Sequence, residues 1–187
     1  MVLDIVQYGD PVLRKKCTPV TQVNEEIQKL AQDMIETMND AEGVGLAAPQ
    51  IGRDIRMAVI DTSHDPECVS FLKVNGEDAK MADIMPLVFI NPELELLDPK
   101  ERSTEGCLSI QDINADVNRP SVVKAKLPQL DGSVIELETD GLLARALQHE
   151  TDHLDGILFI DRLSSAAKVS VRRKLKRIMA NQGRRRR

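Results

Sequence analysis

Gln148-His149-Glu150-Thr151-Asp152-His153-Leu154-Asp155-Gly156 is the stretch from which the architecture is read. Two histidines stand four residues apart around a glutamate. In a helix that spacing turns both imidazoles to one face with the carboxylate at its edge, as two ligands of one metal ion require. The flanks support the helix: Leu142, Leu143, Ala146 and Leu147 recur at helical spacing, Asp140 is a candidate cap and Gly156 a candidate stop. The bland alternative is a pair of ordinary histidines on an amphipathic helix, and Glu150 between them argues against it.

Catalytic zinc-type sites usually take three protein ligands and keep one position open. Beyond His153 the chain has no histidine and no glutamate, and Asp155 and Asp161 look like loop residues. Upstream, Glu105-Gly106-Cys107-Leu108-Ser109 sets a cysteine between a glycine and an apolar residue, where a thiolate can join the two imidazoles. Cys107, His149 and His153 are therefore the candidate ligands. Such a donor set suits Zn, Fe, Ni or Co without choosing among them.

The remaining elements read as α+β rather than alternating βαβ units. From about Asn24 to Met38, Ile27, Leu30, Ala31, Met34, Ile35 and Met38 form the apolar stripe of a helix. Strands are expected at Ile55 to Ile60, Leu87 to Ile90, Val122 to Leu127 and Val134 to Glu138, with Asp131-Gly132 turning the last two into a hairpin. The expected fold is a small single domain of antiparallel strands packed around the central metal-binding helix, plus a C-terminal helix. The polar stretch from Asp61 to Pro86 reads as an inserted loop or flap. Within it His64 and Cys68 have ligand-like spacing, but Pro66 between them argues against a helix there.

A chain of 187 residues that is 42% hydrophobic is long enough for one core. Three cysteines form no disulfide framework and favour a reducing compartment. Asp4 interrupts any leader and no apolar run approaches a membrane span, so a cytoplasmic protein with no membrane association is expected. With no Trp, one Tyr and three Phe, the composition argues against aromatic stacking on nucleic-acid bases. Charge is uneven: from Arg172 to Arg187 there are nine basic residues and no acids, against 16 basic and 30 acidic residues before them. Ser164 or Ser165 can cap a last helix, with Val171, Leu175 and Ile178 or Met179 as its apolar stripe. The basic remainder is either a solvated face or a docking surface.

Three separated segments resemble the peptide deformylases: Gly43-Val44-Gly45-Leu46-Ala47-Ala48-Pro49-Gln50, Glu105 to Ser109, and Gln148 to His153. Order and approximate spacing are similar too. The likeness runs from about Leu3, through Tyr8-Gly9-Asp10-Pro11-Val12-Leu13-Arg14, to the basic C-terminal helix. It implies one catalytic domain over residues 1–187, with the helix and tail from about 164, that removes the formyl group from the initiator methionine of nascent polypeptides. Cys107, His149 and His153 would hold one divalent ion, Fe(II) as the native metal, with Zn, Ni or Co possible. Glu150 would carry the proton, first as base and then as acid. Gln50 and the Leu108 N–H would stabilise the oxyanion, and Gly45 would form the active-site wall. Val44, Leu142 and Ala146 would line the methionine pocket, with Gly45 and Glu105 also against the substrate. For Val44, Leu142 and Ala146, core packing is an equal reading of the residues alone.

In the same family the C-terminal helix contacts the ribosome near the exit tunnel, which makes the ribosome an implied partner. Two other readings stay open, a metallohydrolase acting on another amide and a ribosome-binding relative with weak catalysis. Some residues depart from the family pattern. Gln111 stands where proline is usual, Asn114 where an arginine helps to hold peptide, and Arg145 where many relatives have an apolar residue beside the methionine pocket. Arg119 belongs to the next segment and is not given that arginine's role.

Overall fold

A computed structural model of the chain describes residues 1–65 and 68–185, the last five of these by backbone alone. Helix α1 (Glu25–Asp40) starts at Asn24, whose side chain accepts the Ile27 N–H at 3.0 Å, and it buries Leu30, Ala31, Met34 and Met38 at the helical period. Strand β1 (Gly45–Ala47) follows, then a tight turn over Ala48–Ile51 and strand β2 (Met57–Ile60). Next come β3 (Leu72–Val74), β4 (Glu77–Asp78), the short helix α2 (Met81–Ile84) and β5 (Leu87–Ile90). Strands β6 (Glu93–Cys107) and β7 (Ile110–Pro128) form a long hairpin, β8 (Val134–Thr139) returns beside it, and helices α3 (Gly141–Leu154) and α4 (Ser165–Arg185) complete the chain.

The strands make two antiparallel sheets, one in the order β1-β2-β5 and one in the order β4-β3-β8-β7-β6. α3 lies between them. Its Leu143, Ala144, Ala146, Leu147 and Leu154 share a core with Ala58, Ile60 and Phe89 of the first sheet and Val123, Ala125, Leu127 and Leu137 of the second. Each fully buried leucine contributes about 1.5–3 kcal/mol, so the helix that carries the candidate ligands is held from both sides. This is the expected single α+β domain, with strands around a central helix and a C-terminal helix. The second sheet passes to a separate cluster in which Ile110, Ile113 and Val117 of β7 meet Leu158, Phe159, Leu163 and Val171.

Several local expectations change. Asp140 precedes α3, but its carboxylate makes no cap; Oδ1 accepts the Ser70 N–H at 2.7 Å and so ties the preceding segment to the helix start. Gly141 follows because a Cβ there would stand 1.9 Å from the Cys68 carbonyl oxygen, at φ +58°. The stretch from Asp61 to Pro86 is not a free flap. Its β3–β4 hairpin turns at Asn75-Gly76 and adds to the sheet through Leu72↔Thr139 and Val74↔Leu137, anchored by buried Leu72 and Met81. Pro66 lies outside the described residues, and among those described His64 and Cys68 belong to no group of metal-ligating side chains. In α4, Ser164 Oγ accepts the Ala167 N–H at 3.3 Å; Val171 is buried, Leu175 and Ile178 are half-buried, and Met179 is exposed.

Candidate metal centre

Three pieces of chain converge where α3 meets the β6–β7 turn. α3 supplies His149, Glu150 and His153; Cys107 ends β6, and Leu108 and Ser109 make the two-residue turn before Ile110 pairs back with Cys107. The potential ligand atoms of Cys107, His149 and His153 lie within 4.8 Å of one another, and Cys107 Sγ is 3.3 Å from His153 Nε2. From the other side the Ala48–Ile51 turn buries Gln50. Its Oε1 accepts the Ala47 N–H at 2.8 Å, which aims Nε2 at Cys107 Sγ, 3.5 Å away, and at Ser109 Oγ, 3.3 Å away. These long contacts leave the amide available to a stronger acceptor.

Behind His149 stands a buried charge network. Glu105 Oε2 lies 3.1 Å from His149 Nδ1, which turns Nε2 towards the centre. Arg119 grips Glu105 with two bonds, at 2.6 and 2.9 Å, and reaches Asp152 Oδ2 at 2.7 Å; Arg162 binds Asp152 from the far side. Arg145 donates to Glu105 Oε1 at 2.7 Å and to the carbonyls of Val117 and Glu101. Phe159 stacks on the His149 ring. Glu105 was expected against the substrate, and it does line the cavity, but its carboxylate is turned to His149, Arg119 and Arg145 because those cations and the ring are its nearest donors. Burial opposes ionisation of Glu105, yet hydrogen bonds from His149 and Arg119 hold it far below the usual carboxylate range. Burial also opposes a charge on His149, but Cys107 and Glu105 outweigh it and raise the ring to about 10. Burial and that neighbouring charge push His153 well down.

Such a cluster holds a proton where a divalent cation fits by exchange, since metal binding displaces protons from thiol and imidazole. The residues fit the ion on their own chemistry: soft sulfur, two imidazoles, and a carboxylate orienting one ring from behind.

Glu150 is 3% exposed and, among the described residues, its Oε2 has no hydrogen-bond partner. Burial raises its pKa to about 7. Gly45 explains how the carboxylate keeps its place: a Cβ at that position would lie 2.4 Å from Glu150 Oε1. Both face a cavity of about 960 Å3, which Val44, Gln50, Cys107, Leu108, Leu142 and Ala146 also line. The site residues named from the sequence thus meet in one place. Arg119, Asp152, Arg162 and Phe159 were not among them. Arg119 sits on the inward side of β7 with Ile113 and Val117, and this alternation, with a charge in place of an apolar residue, is the signal that marks it.

A family model of polypeptide deformylases matches residues 2–169. The chain belongs to the polypeptide deformylase family. Peptide deformylase of Bartonella tribocorum is 47% identical over 174 residues, covering 92% of this chain and 90% of that protein. The enzyme of Methylacidiphilum infernorum is 43% identical, with 95% and 93% covered. Among solved structures, a plant peptide deformylase superposes with a TM-score of 0.84 at 32% identity, covering 98% of this chain and 92% of that one. This deformylase is accordingly a metal-dependent enzyme that deformylates nascent peptides. Among the described residues no helix is long and apolar enough to cross a membrane.

Proposed function

We propose that residues 1–187 form one catalytic domain in which Cys107, His149 and His153 hold a single divalent ion and Glu150 moves the proton during hydrolysis of the formyl-methionyl amide. The observation that carries this reading is a buried carboxylate, Glu150, whose Oε2 has no partner among the described residues and which lines one cavity with Cys107 and His149, the donors that His153 completes. A bound ion supplies Lewis acidity and makes water nucleophilic near neutral pH. We assign Fe(II) as the native ion, while Zn, Ni and Co satisfy the same donors.

Ionised Glu150 takes the proton of the attacking water. As the bond from formyl carbon to methionine nitrogen breaks, protonated Glu150 gives that proton to the departing amine, leaving formate and a free methionine terminus. A pKa near 7 makes both forms accessible at neutral pH. Gln50 Nε2 and the Leu108 N–H face the developing oxyanion, and one such donor is worth about 2.7–4 kcal/mol in the transition state. Val44, Leu142 and Ala146 offer apolar surface for the methionine side chain. β1 is the edge of its sheet, so an extended peptide can add alongside Gly45.

The exposed basic face of α4 supports docking on the ribosome near the exit tunnel, in the cytoplasm, with the salt sensitivity of counterion release. The test of the chemistry is formate release from formyl-Met peptides by protein loaded anaerobically with ferrous iron. Release from the formyl peptide but not from acetyl-Met or unblocked peptides is expected. Equal cleavage of acetyl-Met peptides would favour a broader amide hydrolase.

A further inference from the structure

Residues 1–10 form neither helix nor strand, yet they are fastened to both turns that carry the oxyanion donors named above. The Val6 N–H donates to the Gln50 carbonyl at 2.8 Å, and the Tyr8 N–H donates to the Ser109 carbonyl at 2.7 Å. Between them the Gln7 side chain donates through Nε2 to the Leu108 carbonyl at 3.1 Å. Gln50 lies in the turn after β1 and Leu108 in the turn between β6 and β7, so three consecutive residues bridge the two sheets at the site. The segment is itself tied at both ends. The Leu3 N–H donates to Thr37 Oγ1 of α1 at 2.9 Å, and Asp10 Oδ1 accepts the Val12 N–H at 3.0 Å where the turn Pro11–Arg14 buries Leu13.

Gln7 is the one side chain in this bridge. Its Nε2 also lies 3.3 Å from the Ile5 carbonyl, and since a carbonyl oxygen only accepts, the two neighbours fix which end of the amide faces them. Gln7 lines the cavity, but both amide hydrogens are committed to backbone and it acts through Leu108 rather than on the substrate. The N–H and carbonyl of Leu108 belong to one residue of a two-residue turn closed by the Cys107↔Ile110 pair, so a bond that fixes the carbonyl also fixes the direction of the N–H. Oxyanion stabilisation depends on donors that are aimed before the reaction begins.

We infer that Gln7 is a positioning residue for the reaction, holding the Leu108 N–H in register with Gln50 through its bond to the Leu108 carbonyl. This rests on the assignment of Leu108 and Gln50 as oxyanion donors. A donor that matters only in the transition state shows in kcat and not in KM. Outright loss of one lowers kcat by about 10²–10³-fold, and loosening one should lower it on the order of tenfold.

The experiment measures kcat, KM and iron per chain with formyl-Met-Ala-Ala for the full-length enzyme and for Gln7→Met and Gln7→Glu. Methionine keeps the length without a donor; glutamate keeps the shape and puts an acceptor where the donor was. Both variants should lose kcat on the order of tenfold, with glutamate at least as damaging as methionine. KM and iron content should stay native, and Tm should stay within about 4 °C, as loss of one hydrogen bond implies. Native kcat in Gln7→Glu, a loss confined to KM or iron content, or failure of both variants to fold would overturn the inference. Gln50→Ala, assayed alongside, separates the two layers. Native kcat in Gln50→Ala would remove the oxyanion assignment and the inference with it, whereas a loss in Gln50→Ala beside native Gln7 variants would overturn the inference alone.

Discussion

Helices α3 and α4 share one period and use it in opposite ways. α3 turns Gln148, Glu150, Asp152 and His153 inward, whereas the described part of α4 buries Val171 and leaves Arg172, Arg173, Lys174, Lys176 and Arg177 exposed. A buried polar group lowers stability unless it is partnered, so each one in α3 needs an answer from another element: Arg119 and Arg162 for Asp152, the Pro120 carbonyl for Gln148, Cys107 for His153. Among the described residues Glu150 Oε2 has no such answer, nor have Thr151 Oγ1 and His153 Nδ1, and of the three residues Glu150 is the one that lines the cavity. Solvated charge on α4 needs none. The comparison teaches that single substitutions in the α3 neighbourhood should be decisive, whereas the basic face of α4 should respond only when it is removed as a whole.

The sharpest way to break this contrast is Glu150→Gln, which removes the proposed proton carrier and keeps the shape. Turnover should fall by about 10²–10⁴-fold with metal content unchanged; a variant of native activity would make the buried carboxylate structural. Gly45→Ala comes next. Its methyl would displace the Glu150 carboxylate, and a misplacement on the 1 Å scale lowers kcat by about 10²-fold. Normal thermal stability alongside that loss would assign the effect to the site rather than to the fold.

Arg119→Leu should act on both stability and metal. Leaving Glu105 and Asp152 short of their buried partner costs about 3–5 kcal/mol by denaturant titration, and metal affinity should weaken by about 10–100-fold through the His149 orientation. Acid sharpens the same point. The folded-state pKa of Glu105 is depressed, so its contribution is present above the unfolded carboxylate value of about 4.3 and is lost as pH falls towards the folded value. The stability gap between the native protein and Glu105→Gln should therefore shrink below about pH 4; a gap independent of pH would contradict the ionised pairing. The smallest effect on chemistry is expected from deleting residues 172–187. Formyl-peptide hydrolysis should be retained while salt-sensitive cosedimentation with ribosomes is lost.

The same contrast governs what the sequence made legible. α1 and α3 were readable because their apolar residues repeat cleanly, and α1 extends only to Asp40 beyond the expected Met38. β6 was not. It is an edge strand with Glu105 its single buried residue, and Asp98-Pro99 falls where its pairing with β7 shifts register, so it shows no alternation. β7 was recognised only over Val122 to Leu127, because inward Arg119 and Ala115 blur the period of its first half. The candidate ligands were legible from residue type and spacing. Their supports were not, since Arg119, Asp152, Arg162 and Phe159 meet His149 and Glu105 only through strand register and the fold of the 155–164 segment.

The central claim is that Cys107, His149 and His153 together hold one divalent ion under Glu150, and elemental analysis of dialysed, anaerobically prepared protein tests it most directly. One ion per chain is predicted for the native protein and for Glu150→Gln, and none for Cys107→Ala, His149→Ala or His153→Ala. A ligand variant that kept a full, tightly bound ion, or a native protein that bound none, would contradict the account.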